Sequence, residues 1–151
     1  MAPLSSVAKL AGVGQGSLYR HFPDRISLAV AVFDDNITDL EGLADDPQAT
    51  LDDFFTRVSD QAMTSTALID MIASESGDSR AEHLGTRVIA VVHVLLDRDQ
   101  GKGRLRSDVQ ATDVMLAISM LAFLLARTPS AERQETAARA RAILWASFTT
   151  P

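Results

Sequence analysis

Val7-Ala8-Lys9-Leu10-Ala11-Gly12-Val13-Gly14-Gln15-Gly16-Ser17-Leu18-Tyr19-Arg20-His21-Phe22-Pro23-Asp24-Arg25 decides the reading of this chain. Ser5 or Ser6 caps a first short helix carrying Val7, Ala8 and Leu10, and Gly12 supplies its stop. Gly14-Gln15-Gly16-Ser17 opens a second helix with Leu18, Tyr19 and Phe22, and Pro23 ends it after very few turns. Two short helices on a glycine-containing turn fit a helix-turn-helix, a motif whose second helix enters the major groove of DNA.

The side chains suit that geometry. Ala8 and Ala11 are small enough for close helix approach, Gly12 allows a left-handed turn, and Val13 and Leu18 are placed to pin the helices together. Gln15 and Ser17 are short polar groups able to reach base edges, glutamine pairing bidentately with adenine. Lys9, Tyr19, His21 and Arg25 suit phosphates, which fix register without reading sequence. Charge follows the same division. Lys9, Arg20 and Arg25 against Asp24 leave residues 1–25 at +2 in a chain of net charge −6, so a small basic head sits on a body of −8.

Over about residues 4–33 this run resembles the signature of the TetR family of bacterial transcriptional regulators. The resemblance rests on the glycine-containing turn, Tyr19, the aromatic-proline step Phe22-Pro23 and a basic residue, Arg25, near the start of the following helix. It implies that Gln15, Gly16 and Ser17 contact bases and that Tyr19, His21 and Arg25 contact phosphates. Ser5, Lys9, Gly14 and Arg20 complete the DNA-facing set. It further implies a ligand-responsive repressor acting in the cytoplasm as a homodimer, on double-stranded operator DNA, with an unidentified small-molecule ligand and no cofactor. The family carries another helix ahead of the position of Leu4, so the head reads as a partial helix-turn-helix. The alternative is a ligand-binding or interaction dimer deficient in DNA binding.

Outward from the head, every segment reads as helix and the fold class as all-α. From Asp24, the residues Ile26, Ala29, Val30, Phe33, Ile37 and Leu40 recur at helical spacing with Asp34, Asp35 and Asp39 turned away. This is a connector running to about residue 43, after a head of residues 1–25; residues 44–151 form a helical ligand-binding and dimerisation domain. Asp46-Pro47 is expected to cap and start a helix with Leu51, Phe54, Phe55, Val58 and Met63 inward. A short apolar helix around Leu68–Ala73 follows, then a polar loop from Ser74 to Asp78. Arg80 to Asp99 reads as a long central helix, apolar nearly all round at Val88–Leu96. Gln100-Gly101-Lys102-Gly103 breaks it, Val114–Ala126 is a second apolar helix, and Pro129 and Ser130 precede a last, alanine-rich one.

Several chemistries are excluded or left without support. With no cysteine, disulfides, thiolate metal sites and thiol nucleophiles are absent. Three scattered histidines lack a zinc-ligand spacing, Gly101-Lys102-Gly103 lacks the phosphate-loop pattern, and no acid, base and nucleophile converge, so an enzyme is not expected. No apolar run is long enough to span a membrane. Phe54, Phe55, Val58, Met71, Val92, His93 and Met115 are candidates to line a ligand pocket, with ordinary core as the default reading. The apolar surplus exceeds what one small core needs. Met120, Phe123, Leu124, Ile143, Leu144 and Phe148 are therefore expected to meet a symmetry mate as a four-helix bundle.

Overall fold

Short polar side chains start three of the described helices, where they satisfy backbone N–H groups that have no partner within the helix. A computed structural model describes residues 4–64 and 77–149. Among these lie seven helices: α1 (Leu4–Ala11), α2 (Gln15–His21), α3 (Arg25–Asp45), α4 (Leu51–Thr64), α5 (Ser79–Gly101), α6 (Ala111–Arg127) and α7 (Arg133–Phe148). Among the described residues there is no strand, and an isolated antiparallel bridge joins Leu105 to Thr149. The all-α reading holds, and no described helix is long and apolar enough to cross a membrane. Met71 and the helix read at Leu68–Ala73 lie outside the described residues.

Asp24 caps α3 by accepting the Ser27 N–H at 2.6 Å, while the Ser27 hydroxyl accepts the Asp24 N–H. Asp78 caps α5 through the Arg80 N–H at 2.9 Å. The start of α4 departs from expectation. Asp46 instead accepts the Gln48 N–H, bending the chain through Pro47, and the cap is made by Thr50 and Asp53. The Thr50 N–H donates to the Asp53 carboxylate at 2.9 Å and the Asp53 N–H to the Thr50 hydroxyl at 3.2 Å. That reciprocal pair satisfies two end groups at once, so it wins over an isolated aspartate–proline step.

The main core gathers Leu51, Phe54 and Phe55 of α4, Val92 and Leu95 of α5, Val114 of α6 and Phe148 of α7. Phe55 is its hub, with ring centroids 6.4 Å from Phe54, 6.2 Å from Trp145 and 5.8 Å from Phe148. A smaller cluster joins Ala62, Leu121, Leu125 and Ala137. The head has its own: Ala8 and Leu18 buried, with Phe22 and Leu28 packed against them. The central helix α5 is not buried all round. Val91, Val92, Leu95 and Leu96 face inward, whereas Ala90, His93, Val94 and Asp97 are exposed, because the neighbouring helices cover a single face.

Candidate nucleic-acid interface and core cavity

The turn between α1 and α2 is closed by two backbone bonds, Gly12 N–H to Lys9 O at 3.3 Å and Val13 N–H to Ala8 O at 3.1 Å. That pattern needs a left-handed residue after the helix, and Gly12 supplies it with φ +68. Ala8 fills the crossing, exposed by just 1%. Val13 does not pin the helices as expected: the turn leaves its side chain exposed, and Leu18 alone anchors α2. The opposite side of α2 is open. Gln15, Gly16, Ser17, Tyr19, Arg20 and His21 are exposed, as are Lys9 and Gly14, while Ser5 and Arg25 are half-buried. Lys9, Arg20 and His21 enter no ion pair among the described residues, so their charges or donors stay available to an outside anion.

α3 carries this head and is clamped to the body by ion pairs. Arg80, at the start of α5, reaches the α3 cap at Asp24 at 3.3 Å and holds Asp78 at 2.7 Å. Its hydrogen bond to Asp78 lowers that carboxyl to about 2. Asp24 is also held below the ordinary range, chiefly by the Ser27 N–H and, to a lesser degree, by Arg80. Two turns further along α5, Arg87 makes a bidentate pair with Glu41 at 2.8 and 2.9 Å and also contacts Asp34 and the Thr38 hydroxyl. The Arg87 hydrogen bond is the main reason the Glu41 carboxyl lies below its usual value. From α4, Arg57 pairs with Asp39 at 3.0 Å and the Gln61 amide donates to the Asn36 carbonyl at 3.0 Å.

Between α3, α4, α5 and α6 lies a cavity of about 460 Å³. α3 contributes Phe33, Asn36, Ile37 and Leu40; α4 contributes Val58, Gln61 and Ala62. α5 adds Ala81, Leu84, Gly85 and Val88, and α6 adds Ile118, Ser119, Ala122 and Phe123. None of these described wall residues is ionisable. Of the residues singled out for a pocket, Val58 lines it. Phe54, Phe55 and Val92 are buried in the main core with Met115 packed against it, and His93 is exposed away from the cavity. Sequence reading missed Asn36, Gln61 and Gly85, because polar or glycine positions on an amphipathic helix look like solvated ones until the neighbouring helix is in place. Among the described residues no cluster of histidine and carboxylate groups suits a metal ion.

The expected contact face divides. Met120, Phe123 and Leu124 of α6 and Ile143 of α7 are exposed, together with Leu116. Leu144 is half-buried and Phe148 is in the core against Phe55, so neither offers a free apolar surface of that kind. The Arg127 guanidinium sits 3.5 Å above the Phe123 ring.

Comparison with known proteins accounts for this architecture. The family model described as the C-terminal domain of SbtR-like transcriptional regulators matches residues 46–145. A TetR transcriptional regulator of Streptomyces coelicolor, SCO0520, superposes with a TM-score of 0.66 at 25% identity, over 98% of this chain and 87% of that one. A TetR regulatory protein of Mycobacterium vanbaalenii gives 0.60 at 23% identity, over 99% and 84%. The ketosteroid transcriptional regulator KstR2 of Mycobacterium tuberculosis gives 0.52 at 14%, over 99% and 86%. The search of curated proteins finds no match. With its C-terminal helices matched to that domain and its whole length following TetR regulators, the chain belongs to the TetR family of transcriptional regulators and is not an enzyme.

Proposed function

We propose that the protein is a ligand-responsive transcriptional repressor that binds operator DNA as a homodimer in the bacterial cytoplasm. Residues 1–25 are the DNA-reading head, α3 is the connector, and residues from 44 onward hold ligand and dimer contacts. The observation that carries this reading is the open side of α2, where Gln15, Ser17, Tyr19, Arg20 and His21 are exposed around a single buried anchor, Leu18. In the major groove, Gln15 and Ser17 read base edges, while Lys9, Tyr19, Arg20, His21 and Arg25 hold phosphates; Ser5, Gly14 and Gly16 let the backbone approach. Two such helices, about one helical turn of DNA apart, engage a palindromic site. Ligand in the cavity presses on α3, which lines it and carries the head, and release follows when the ligand favours a spacing the operator does not match.

An anisotropy titration of the DNA upstream of the protein's own gene, at two salt concentrations, tests this. Binding should be sequence-selective and weaken with salt. Substituting Lys9 or Arg20 by alanine should lower affinity evenly across sequences, and Gln15→Ala with Ser17→Ala should change sequence preference. A folded dimer that ignores DNA at low salt would leave a ligand-binding dimer without a DNA-reading role.

A further inference from the structure

α5 carries a glycine for which its own helix gives no reason. Gly85 lies within α5 on the cavity wall, its φ is not left-handed, and a β-carbon built there meets no atom within 4 Å. Neither conformation nor crowding requires the residue, and glycine weakens a helix interior. What its missing side chain does is leave room in the cavity. Facing the same space from α3 is Asn36, half-buried, whose amide makes no hydrogen bond among the described residues; the bond at that position goes to its carbonyl from Gln61. The donors of the other polar walls are already engaged. The Gln61 amide donates to Asn36 O and Asp39, and the Ser119 hydroxyl donates to Met115 O at 2.9 Å.

We propose that this cavity takes a neutral, mainly apolar small molecule that offers one hydrogen-bonding group to the Asn36 amide, with Gly85 keeping open the space its body fills. The inference rests on the ligand-responsive reading and names the ligand's class. An ion entering here would give up part of its water and meet no opposite charge among the described walls, so a neutral ligand is favoured over a cation or an anion. An amide both donates and accepts, so a hydroxyl, amine or carbonyl on the ligand is satisfied. The volume, about 460 Å³, suits a molecule of drug-like size. Because Asn36 lies on α3, the polar contact falls on the helix that carries the DNA-reading head.

Two dyes with a common skeleton separate charge from shape: N-phenylnaphthylamine, which is neutral with one N–H, and anilinonaphthalene sulfonate, which adds a fixed negative charge. Titrated against the full chain and read by fluorescence, the neutral dye should bind at least about tenfold more tightly, the scale expected from desolvating an unpaired charge. Gly85→Leu should remove its saturable signal while the variant still unfolds cooperatively on heating. Asn36→Leu should weaken it by about three- to tenfold, the range for one hydrogen bond. Equal or tighter binding of the sulfonate overturns the inference. So does neutral-dye binding unchanged by Asn36→Leu and by Gly85→Leu, which places the dye on the exposed face of α6, and so does binding of neither dye. Operator anisotropy with each dye present distinguishes the two readings. Neutral-dye binding that leaves DNA affinity unchanged upholds the ligand class and overturns the ligand response, whereas DNA release by the sulfonate alone does the reverse.

Discussion

At Asp99, a carboxylate with 1% of its side chain exposed accepts the Leu51 N–H at 2.9 Å and two bonds from Arg104. It thereby ties the start of α4 to the end of α5. Asp99→Ala strands the Leu51 donor in the interior and should destabilise the fold by about 1–3 kcal/mol, read from chemical denaturation. At the junction of head and body, Asp78 is half-buried and lowered from 3.8 to about 2, mainly by the Arg80 hydrogen bond. A carboxyl depressed on folding contributes stability above its unfolded value and loses it as pH falls through the folded one. Melting temperature should therefore drop between about pH 4 and pH 2, and Asp78→Asn should make that drop shallower. These pairings were not legible in the chain, where Asp78 read as the end of a polar loop and Asp99 as the end of a helix. Contact between residues 48 positions apart, as in Leu51 and Asp99, has no local signature.

At the scale of elements, α3 and α5 are held along their length by Arg80 and Arg87, whose partners Asp24, Asp34 and Glu41 all lie on or cap α3. Arg87 is largely covered, but Asp34 and Glu41 are partly solvated, so Arg87→Met should cost no more than about 1 kcal/mol in stability. Its larger effect should be on how DNA affinity responds to ligand, since the seam it closes joins cavity wall to connector; parallel operator titrations with and without the neutral dye would read this. Gly85→Ala should raise helix stability by about 0.5–1 kcal/mol, because the added methyl meets open space and the helix gains an ordinary residue. A thermal melt checks it. Stabilisation together with weaker dye binding is the signature of a residue retained for the cavity.

The whole molecule leaves Leu116, Met120, Phe123 and Leu124 exposed along one side of α6, with Ile143 70% exposed on α7, the helix α6 packs against. Apolar side chains at this density on adjoining helices are what a two-fold dimer buries. Met120→Glu with Ile143→Glu should give a monomer by light scattering, with helical content retained, because neither side chain is buried in the single chain. The same variant should lose most of its operator affinity, since two heads joined through one interface bind far more tightly than either alone.

Read alone, the sequence determined what depends on near neighbours. Helix spacing, the glycine of the first turn, the aromatic-proline stop and the aspartate that opens α3 place the head and the connector, because caps and turns are satisfied within a few residues. It also marked Met120, Phe123, Leu124 and Ile143 as surplus to one core. Tertiary structure alone decided which of the inward-facing residues became core and which became cavity wall. Phe54, Phe55, Val92 and Phe148 are drawn inward by one another's rings and branches, His93 is left on the uncovered face of α5, and the cavity falls to Asn36, Gly85 and their neighbours. The reason is that a cavity is made by the spacing between helices far apart in the chain, and residue type fixes how a wall behaves but not which walls meet.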